Sequence, residues 1–434
     1  MKNILFTGLA LAALTFASSC KKDQNSNDTS FGQRSTKASY ASASALPVQT
    51  VSGNITTNTT WDNSKVWEVS GVLTVKDGAT LTIQAGTYIK STVNIPNVPN
   101  GIIVVQKGGK ISAVGTVENP IVFTSRYKLG DASKAPAPGD FGGIILLGKA
   151  HVNTGTKYIE GLTGTEYSFG GNIEDDNSGT IQYARIEYAG FNLTTDNEVN
   201  GLTCGGVGSL TTLDHIEVNY GRDDSFEFFG GSVNASYLIS KAADDDNFDF
   251  DNGYNGSITY AVAIADKNST HSLSGGNSDS NGIESDNNAP GEDATFSLLP
   301  RTRPVLTNIS IIGTSTLVKD VPTNTKDLYK FAVRNRRGAE IELYDSIITG
   351  YPSGFVFDGT TPGASVLDGN DFHGFNAAIT PAGTYTGNNQ VTGSPASAFG
   401  ISQPFFNDGT VNLLGASKGA FPTSTNWAAS WSTL

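Results

Sequence analysis

From Val51 onward, apolar residues recur at every second position in short runs, each closed by Gly, Asn or Asp. Gly71-Val72-Leu73-Thr74-Val75, Ala79-Thr80-Leu81-Thr82-Ile83 and Gly101-Ile102-Ile103-Val104-Val105 set the pattern. Lys110-Ile111-Ser112-Ala113-Val114 and Pro120-Ile121-Val122-Phe123-Thr124 continue it. A two-residue period over four to six positions, bounded by turn formers, is the signal of a β-strand. No stretch carries a 3.6-residue apolar stripe with caps. The elements are therefore short strands, spaced roughly 8–12 residues apart, as in a sandwich, a barrel or a β-solenoid.

Internal repetition separates these three. Asp224-Ser225-Phe226-Glu227-Phe228-Phe229-Gly230-Gly231 aligns with Asp246-Asn247-Phe248-Asp249-Phe250-Asp251-Asn252-Gly253 at an offset of 22 residues. Leu202-Thr203-Cys204-Gly205-Gly206 falls on the same columns, and so does Ile283-Glu284-Ser285-Asp286-Asn287. A second strand family follows the first, through Leu213–Val218, Ser236–Ile239, Ser257–Val262 and Val305–Ile311. A period of about 22–25 residues with two or three strands per unit predicts an all-β protein folded as a right-handed parallel β-helix. Coils stack at about 4.8 Å, so Phe226 over Phe248 and Phe228 over Phe250 form interior aromatic ladders, and the intervening acids point outward. The corner positions are expected at Gly205-Gly206, Gly230-Gly231 and Gly253.

The N-terminus reads as an address. A positive start at Met1-Lys2-Asn3, an apolar run from Ile4 to Phe16 and the small residues Ala17-Ser18-Ser19 make a secretory signal peptide over 1–19. Its apolar core is too short to span a bilayer. A cysteine directly after the small residues resembles a bacterial lipobox, which implies that Cys20 is acylated and becomes the first mature residue, although Ala17 stands where that pattern prefers Leu. Stable attachment takes more than one acyl chain, since each buried CH₂ contributes about 0.8 kcal/mol. Lys21-Lys22-Asp23 resembles the charged tags that carry such lipoproteins to the cell surface. Residues 20–47, rich in Ser, Asn, Thr, Lys and Ala, bury too little apolar surface to offset their ordering entropy and read as a flexible tether. The β-helix then occupies 48–434. With Cys20 acylated, Cys204 is left as a small buried apolar residue.

Composition refines this picture. The 50 Gly among 434 residues disfavour long helices, since an interior Gly costs about 1 kcal/mol. The balance of 41 Asp and Glu against 28 Lys and Arg leaves no basic face for nucleic acid. Two cysteines cannot build a disulfide framework, and no Cys/His spacing suits a metal. The body is expected to act as a monomer.

Several stretches together resemble a family of β-helical secreted proteins and lipoproteins of Bacteroidota and proteobacteria. They are Trp67–Val75, Gly139-Asp140-Phe141-Gly142-Gly143-Ile144, Asn177–Ile181, Arg185–Gly190, Asp223–Gly231 and Asp244–Tyr254. More widely, the coil stack is similar to the pectate-lyase-like superfamily, which hosts lyases, hydrolases, esterases, adhesins and non-catalytic binders. Such a fold does not assign an activity.

The densest chemistry is acidic: Asp223, Asp224, Glu227, Asp244, Asp245, Asp246, Asp249, Asp251, Glu284 and Asp286. The repeat puts Glu227, Asp249 and Glu284 in one column, and Asp251 and Asp286 in the next. Like charges about 5 Å apart repel unless a cation or a proton intervenes. Hard oxygen ligands suit Ca²⁺, and Asp223, Asp224, Glu227, Asp246, Asp249, Asp251, Glu284 and Asp286 are the candidate ligands. The alternative is a solvated acidic face at coil corners. The same acids are placed for a carbohydrate-active enzyme, because paired carboxylates cleave glycosides. Asp223-Asp224 resembles one motif of polygalacturonase-type hydrolases whose companion motifs are absent. Leu213-Asp214-His215 and Arg301-Thr302-Arg303-Pro304 resemble pieces of pectate lyases without reproducing the arginine motif.

Arg334, Arg336 and Arg337 form a basic knot that either binds an anionic glycan or pairs with the acids. His151, His215, His271 and His373 share no motif and read as surface or packing residues. Trp61, Trp67, Trp427 and Trp431 lie near the two ends of the body, as sugar platforms or, better, as seals on the terminal coils. Ala265–Arg303 reads as a long recognition loop. The expectation is an outer-membrane, surface-exposed lipoprotein that binds extracellular polysaccharide without turnover or serves as a surface interaction module, with a polysaccharide lyase or glycoside hydrolase as the alternative.

Overall fold

In a computed structural model of the chain, the described residues run from 39 to 434, apart from 96–97, 160, 163, 195–196, 267–268, 270–272, 275–276, 314–329, 383–386, 393–414 and 416. Among them, 24 strands join in one continuous sheet in which every pairing is parallel. Three short antiparallel hairpins stand outside it. The sheet winds as a right-handed parallel β-helix.

Each coil turns at residues held in the left-handed region. The strands Gly179–Glu187, Thr212–Asn219, Asn234–Lys241 and Ser257–Ile264 each bend about one such residue, at Tyr183, His215, Tyr237 and Tyr260. That conformation costs an L-residue about 1–2 kcal/mol. Ring stacking offsets part of it, with centroids 4.3 Å apart from Tyr183 to His215, 4.3 Å on to Tyr237 and 5.1 Å on to Tyr260. Another corner carries Gly206, Gly230 and Asn252, and Gly231 beside it has φ +79°, where an added Cβ would lie 2.4 Å from the Val207 carbonyl. Gly206, Gly230, Gly231 and Gly253 thus stand at corners as expected, whereas Gly205 ends the strand Leu202–Gly205.

The predicted register holds residue by residue. Leu202 pairs with Phe226, Phe226 with Phe248 and Phe248 with Ile283. Phe226 stacks on Phe248 at 5.2 Å and Phe228 on Phe250 at 5.5 Å, and Cys204 lies buried in the Phe228 column. At the N-terminal end Trp61 stacks on Trp67 at 5.1 Å inside the first coils.

Other expectations change. Residues 1–38, which hold the expected signal peptide, Cys20 and most of the tether, lie outside the described residues. The end of the tether is not loose: Tyr40–Ser44 form a one-turn helix. The Tyr40 hydroxyl donates to Glu187 at 2.6 Å, and Ala43 and Leu46 pack with Val66, Tyr88 and Leu129. Polar composition hides this docking, because one tyrosine supplies its anchor. The expected loop at 265–303 is interrupted by Ile283–Ser285, a strand of the main sheet, and its second half is held where Asn287 accepts the Thr302 amide at 2.9 Å.

Trp427 and Trp431 do not seal an end. Lys418 pairs with Asp371 at 2.8 Å, the Ala420 amide donates to Ser310, and the Thr433 amide donates to Glu217 at 2.8 Å. The tail thus runs back along the flank of the β-helix. It covers the outward apolar residues Ile239, Val262, Ile264, Ile312 and Ile347, with both tryptophans edge-on to His215.

Candidate functional site

The face built from Leu202–Gly205, Phe226–Phe229, Phe248–Asp251, Ile283–Ser285 and Phe331–Arg336 carries the site. Alternation sends the phenylalanines inward and the residues between them outward. One outward column reads Thr203, Glu227, Asp249, Glu284, Arg334 across five coils. Beside it Phe229 pairs with Asp251 and Arg336 with Asp358. Two residues ahead of the first core position of each strand stand Asn200, Asp224, Asp246 and Asn281. There, Asp224 accepts the Asp246 amide at 2.8 Å, and Asp246 accepts the Asn281 amide. These two carboxylates therefore tie adjacent coils together.

The acids are not a solvated corner. Asp224, Glu227, Asp246, Glu284 and Asp286 are all less than 9% exposed. Burial, reinforced by neighbouring carboxylates, pushes Asp224, Glu227, Asp246 and Asp249 well above the usual carboxylate range. Burial with Asp286 nearby raises Asp251 to about 7, and the same causes raise Glu284 to about 8.

The column divides into two halves. In one, Arg336 Nε donates to Asp286 at 2.7 Å and its Nη2 to Glu284, and Arg337 reaches Asp286 at 2.6 Å. Arg334 joins Glu284 at 3.2 Å and Asp358 at 2.8 Å. The three arginines are thus engaged by the protein's own acids.

In the other half, carboxylate oxygens of Asp224, Glu227 and Asp249 lie within 4.8 Å of one another, and those of Asp223, Asp224 and Asp245 do likewise. Asp224 belongs to both groups. Asn200 donates to Glu227, and the charge of Lys157 reaches Glu227 from the side. Asp249 Oδ1 is buried without a hydrogen-bond donor among the described residues, as is Asn200 Oδ1.

Orphaned hard oxygens beside converging carboxylates fit Ca²⁺, which takes 6–8 oxygens. Of the eight candidate ligands, the structure brings Asp223, Asp224, Glu227 and Asp249 together. It places Asp246 as a coil tie, Asp251 beside the Asn252 amide, and Glu284 and Asp286 against arginine. Asp245 and Asn200, which are not among those eight, complete the neighbourhood. Asn200 is legible in the repeat, since it stands two residues ahead of Leu202 as Asp224 does ahead of Phe226. Among the histidines, His215 contacts Asp214 at 2.5 Å, His151 faces Glu174 at 4.0 Å and His373 contacts Thr349, whereas His271 lies outside the described residues.

No curated protein and no solved structure matches the chain. A family model described as a pectate-lyase like beta helix domain matches residues 53–432. That span includes nearly all of the coil stack and the whole acidic face, and on it the chain belongs to the pectate-lyase-like β-helix family.

Proposed function

We propose that the protein is an envelope lipoprotein, anchored through Cys20 in the outer membrane, whose β-helix binds extracellular polysaccharide at a calcium-loaded acidic face without turning it over. The observation that carries this reading is the group of buried Asp224 and Glu227 with half-buried Asp249, whose oxygens converge and whose column neighbours hold the nearby arginines. A divalent cation relieves the repulsion and presents open coordination positions to sugar oxygens or carboxylates. Asp223, Asp224, Glu227, Asp245 and Asp249 would hold it. Arg334, Arg336 and Arg337 support the face by fixing Glu284 and Asp286, and a direct role for them in ligand binding requires those pairs to open.

The test is affinity electrophoresis against a panel of extracellular polysaccharides, paired with assays for reducing ends and unsaturated products. Retardation that needs calcium, is lost in Asp224→Asn, and comes without product is the expected result. A specific observation favours turnover as the second reading. The carboxylates of Glu227 and Asp249 lie within 4.8 Å, close to the ~5–5.5 Å separation of retaining glycosidases, and both are raised toward the protonated form. Product release abolished by Glu227→Gln or Asp249→Asn replaces the binder with an enzyme.

A further inference from the structure

One outward column of the sheet runs beneath both terminal segments. Val66, Tyr88 and Val122 stand in it on successive coils, and Arg185 follows Val122. Glu217 stands opposite Arg185 on the next coil, and Ile239 and Val262 follow. Alternation turns these residues away from the core, into which Ile186 and Val218 point.

Two segments cover that column from opposite directions. Tyr40, Ala43 and Leu46 pack with Val66, Tyr88 and Val122, whereas the C-terminal strap packs with Ile239 and Val262. The two apolar clusters share no residue. What lies between them is charged: Arg185, Glu187 and Glu217 are 4%, 1% and 0% exposed.

One cation beside two carboxylates leaves a buried excess of negative charge, which is costly unless donors converge on it. Each terminal segment supplies some of them. The Tyr40 hydroxyl is shared between the two oxygens of Glu187, at 2.6 and 2.8 Å, and the Thr124 hydroxyl donates to the same carboxylate at 2.7 Å. Thr433 donates its amide to Glu217 at 2.8 Å and its hydroxyl as well, and Asn219 adds a third donor at 3.0 Å.

Arg185 joins the two halves. Its Nε lies 3.3 Å from Glu187, its Nη2 donates to the Tyr40 hydroxyl at 3.4 Å, and the charge of Glu217 reaches both Arg185 and Tyr40. These groups stay dry only while both segments are docked. Removing either one admits water to the shared charges, raises the local dielectric and weakens the bonds that hold the other. By linkage the effect is reciprocal.

We propose that Tyr40–Leu46 and the C-terminal strap are two jaws of one clasp, closed on Arg185, that open together as a single cooperative unit. Opening bares Ile239, Val262 and Ile264 while the coils beneath stay folded. The preceding chain joins at Ser39, so a pull on it acts first on Tyr40 and is passed to a strap at the far end of the sequence. The clasp depends neither on acylation of Cys20 nor on metal at the acidic face.

Native-state hydrogen exchange of the full chain, read by mass spectrometry in increasing urea below the main transition, tests this. The reporters are the Ala43 and Leu46 amides, bonded within the N-terminal segment, and the Ser432 and Thr433 amides of the strap. Both sets are expected to exchange through one opening, with equal protection and equal urea dependence, while the strand Phe226–Phe229 stays more protected. Tyr40→Phe removes only the hydroxyl, and with it a bond to a charged group, so exchange should speed up about 10-fold at both sets. Trp431→Ala should in turn speed exchange at Ala43 and Leu46. Faster exchange in Tyr40→Phe at the N-terminal reporters alone, or at neither set, overturns the proposal. So do unequal urea slopes for the two sets in the wild-type protein. That comparison needs no variant, so a misfolded Trp431→Ala does not leave the question open.

Discussion

Asp249 and Glu284 are neighbours in one column of one sheet face, both carboxylates and both outward, Glu284 buried and Asp249 half-buried. Glu284 meets two arginines from the next coil, whereas Asp249 meets Glu227 and Asp224. A stacked column can therefore hold like charges in two ways, by supplying its own cation one coil on, or by leaving them protonated or metal-bound. The first is a structural solution. The second persists only where something outside the chain completes it, which is why the Asp224–Asp249 half is the candidate site.

The harshest way to break this contrast is Arg336→Met. It leaves Glu284 and Asp286 buried with one partner fewer each, and the expected loss is about 3–5 kcal/mol, read as a lower thermal midpoint. Next in size is metal. Calcium at about 100 times its dissociation constant is expected to stabilise the native protein by ~2.7 kcal/mol over the EDTA-treated form, and Asp224→Asn to abolish that gain. A wild-type midpoint that ignores both calcium and EDTA removes the distinction between the halves.

The pH dependence sharpens it. Asp251 and Glu284, raised to about 7 and about 8, bind more protons folded than unfolded. Their contribution to stability is present below the unfolded carboxylate range near pH 4 and is lost as pH rises through 7 to 8. Asp224, Glu227 and Asp249 act in the same direction. In EDTA the midpoint should fall between pH 5 and pH 8, and calcium should restore more at pH 8, where its ligands are deprotonated. The smallest test compares Glu227→Gln with Glu284→Gln in EDTA at pH 8. The first relieves repulsion and is expected to be neutral or stabilising by ~1 kcal/mol, whereas the second deprives Arg334 and Arg336 of an acceptor and destabilises by ~1–3 kcal/mol.

Much of this geometry is legible in the amino-acid sequence. An offset of 22 residues puts Phe226 on Phe248 and Glu227 on Asp249, because parallel coils in register copy sequence period into space. Burial is not legible, since a strand pattern says which residues face outward and nothing about what lies over them. The arginine partners of Glu284 and Asp286 sit about 50 residues away in sequence, across a stretch in which Val305–Ile311 alone reads as part of the repeat. The course of the tail is hidden for a similar reason. Its signal is the unbroken run Ala261-Val262-Ala263-Ile264, too apolar for a strand with one face in water.

That tail also bears on how the chain acquires its structure. Coils contact their neighbours, so a β-helix can in principle grow one turn at a time. Here the face made by Ile239, Val262 and Ile264 stays bare until Trp427, Trp431 and Thr433 arrive, and Thr433 closes on Glu217 across 216 residues of chain. Contacts of that separation are slow to form and leave sticky surface waiting. A chain stripped of its last fifteen residues should keep its coils yet clump, making the C-terminal strap the step that turns a stack of coils into a finished protein.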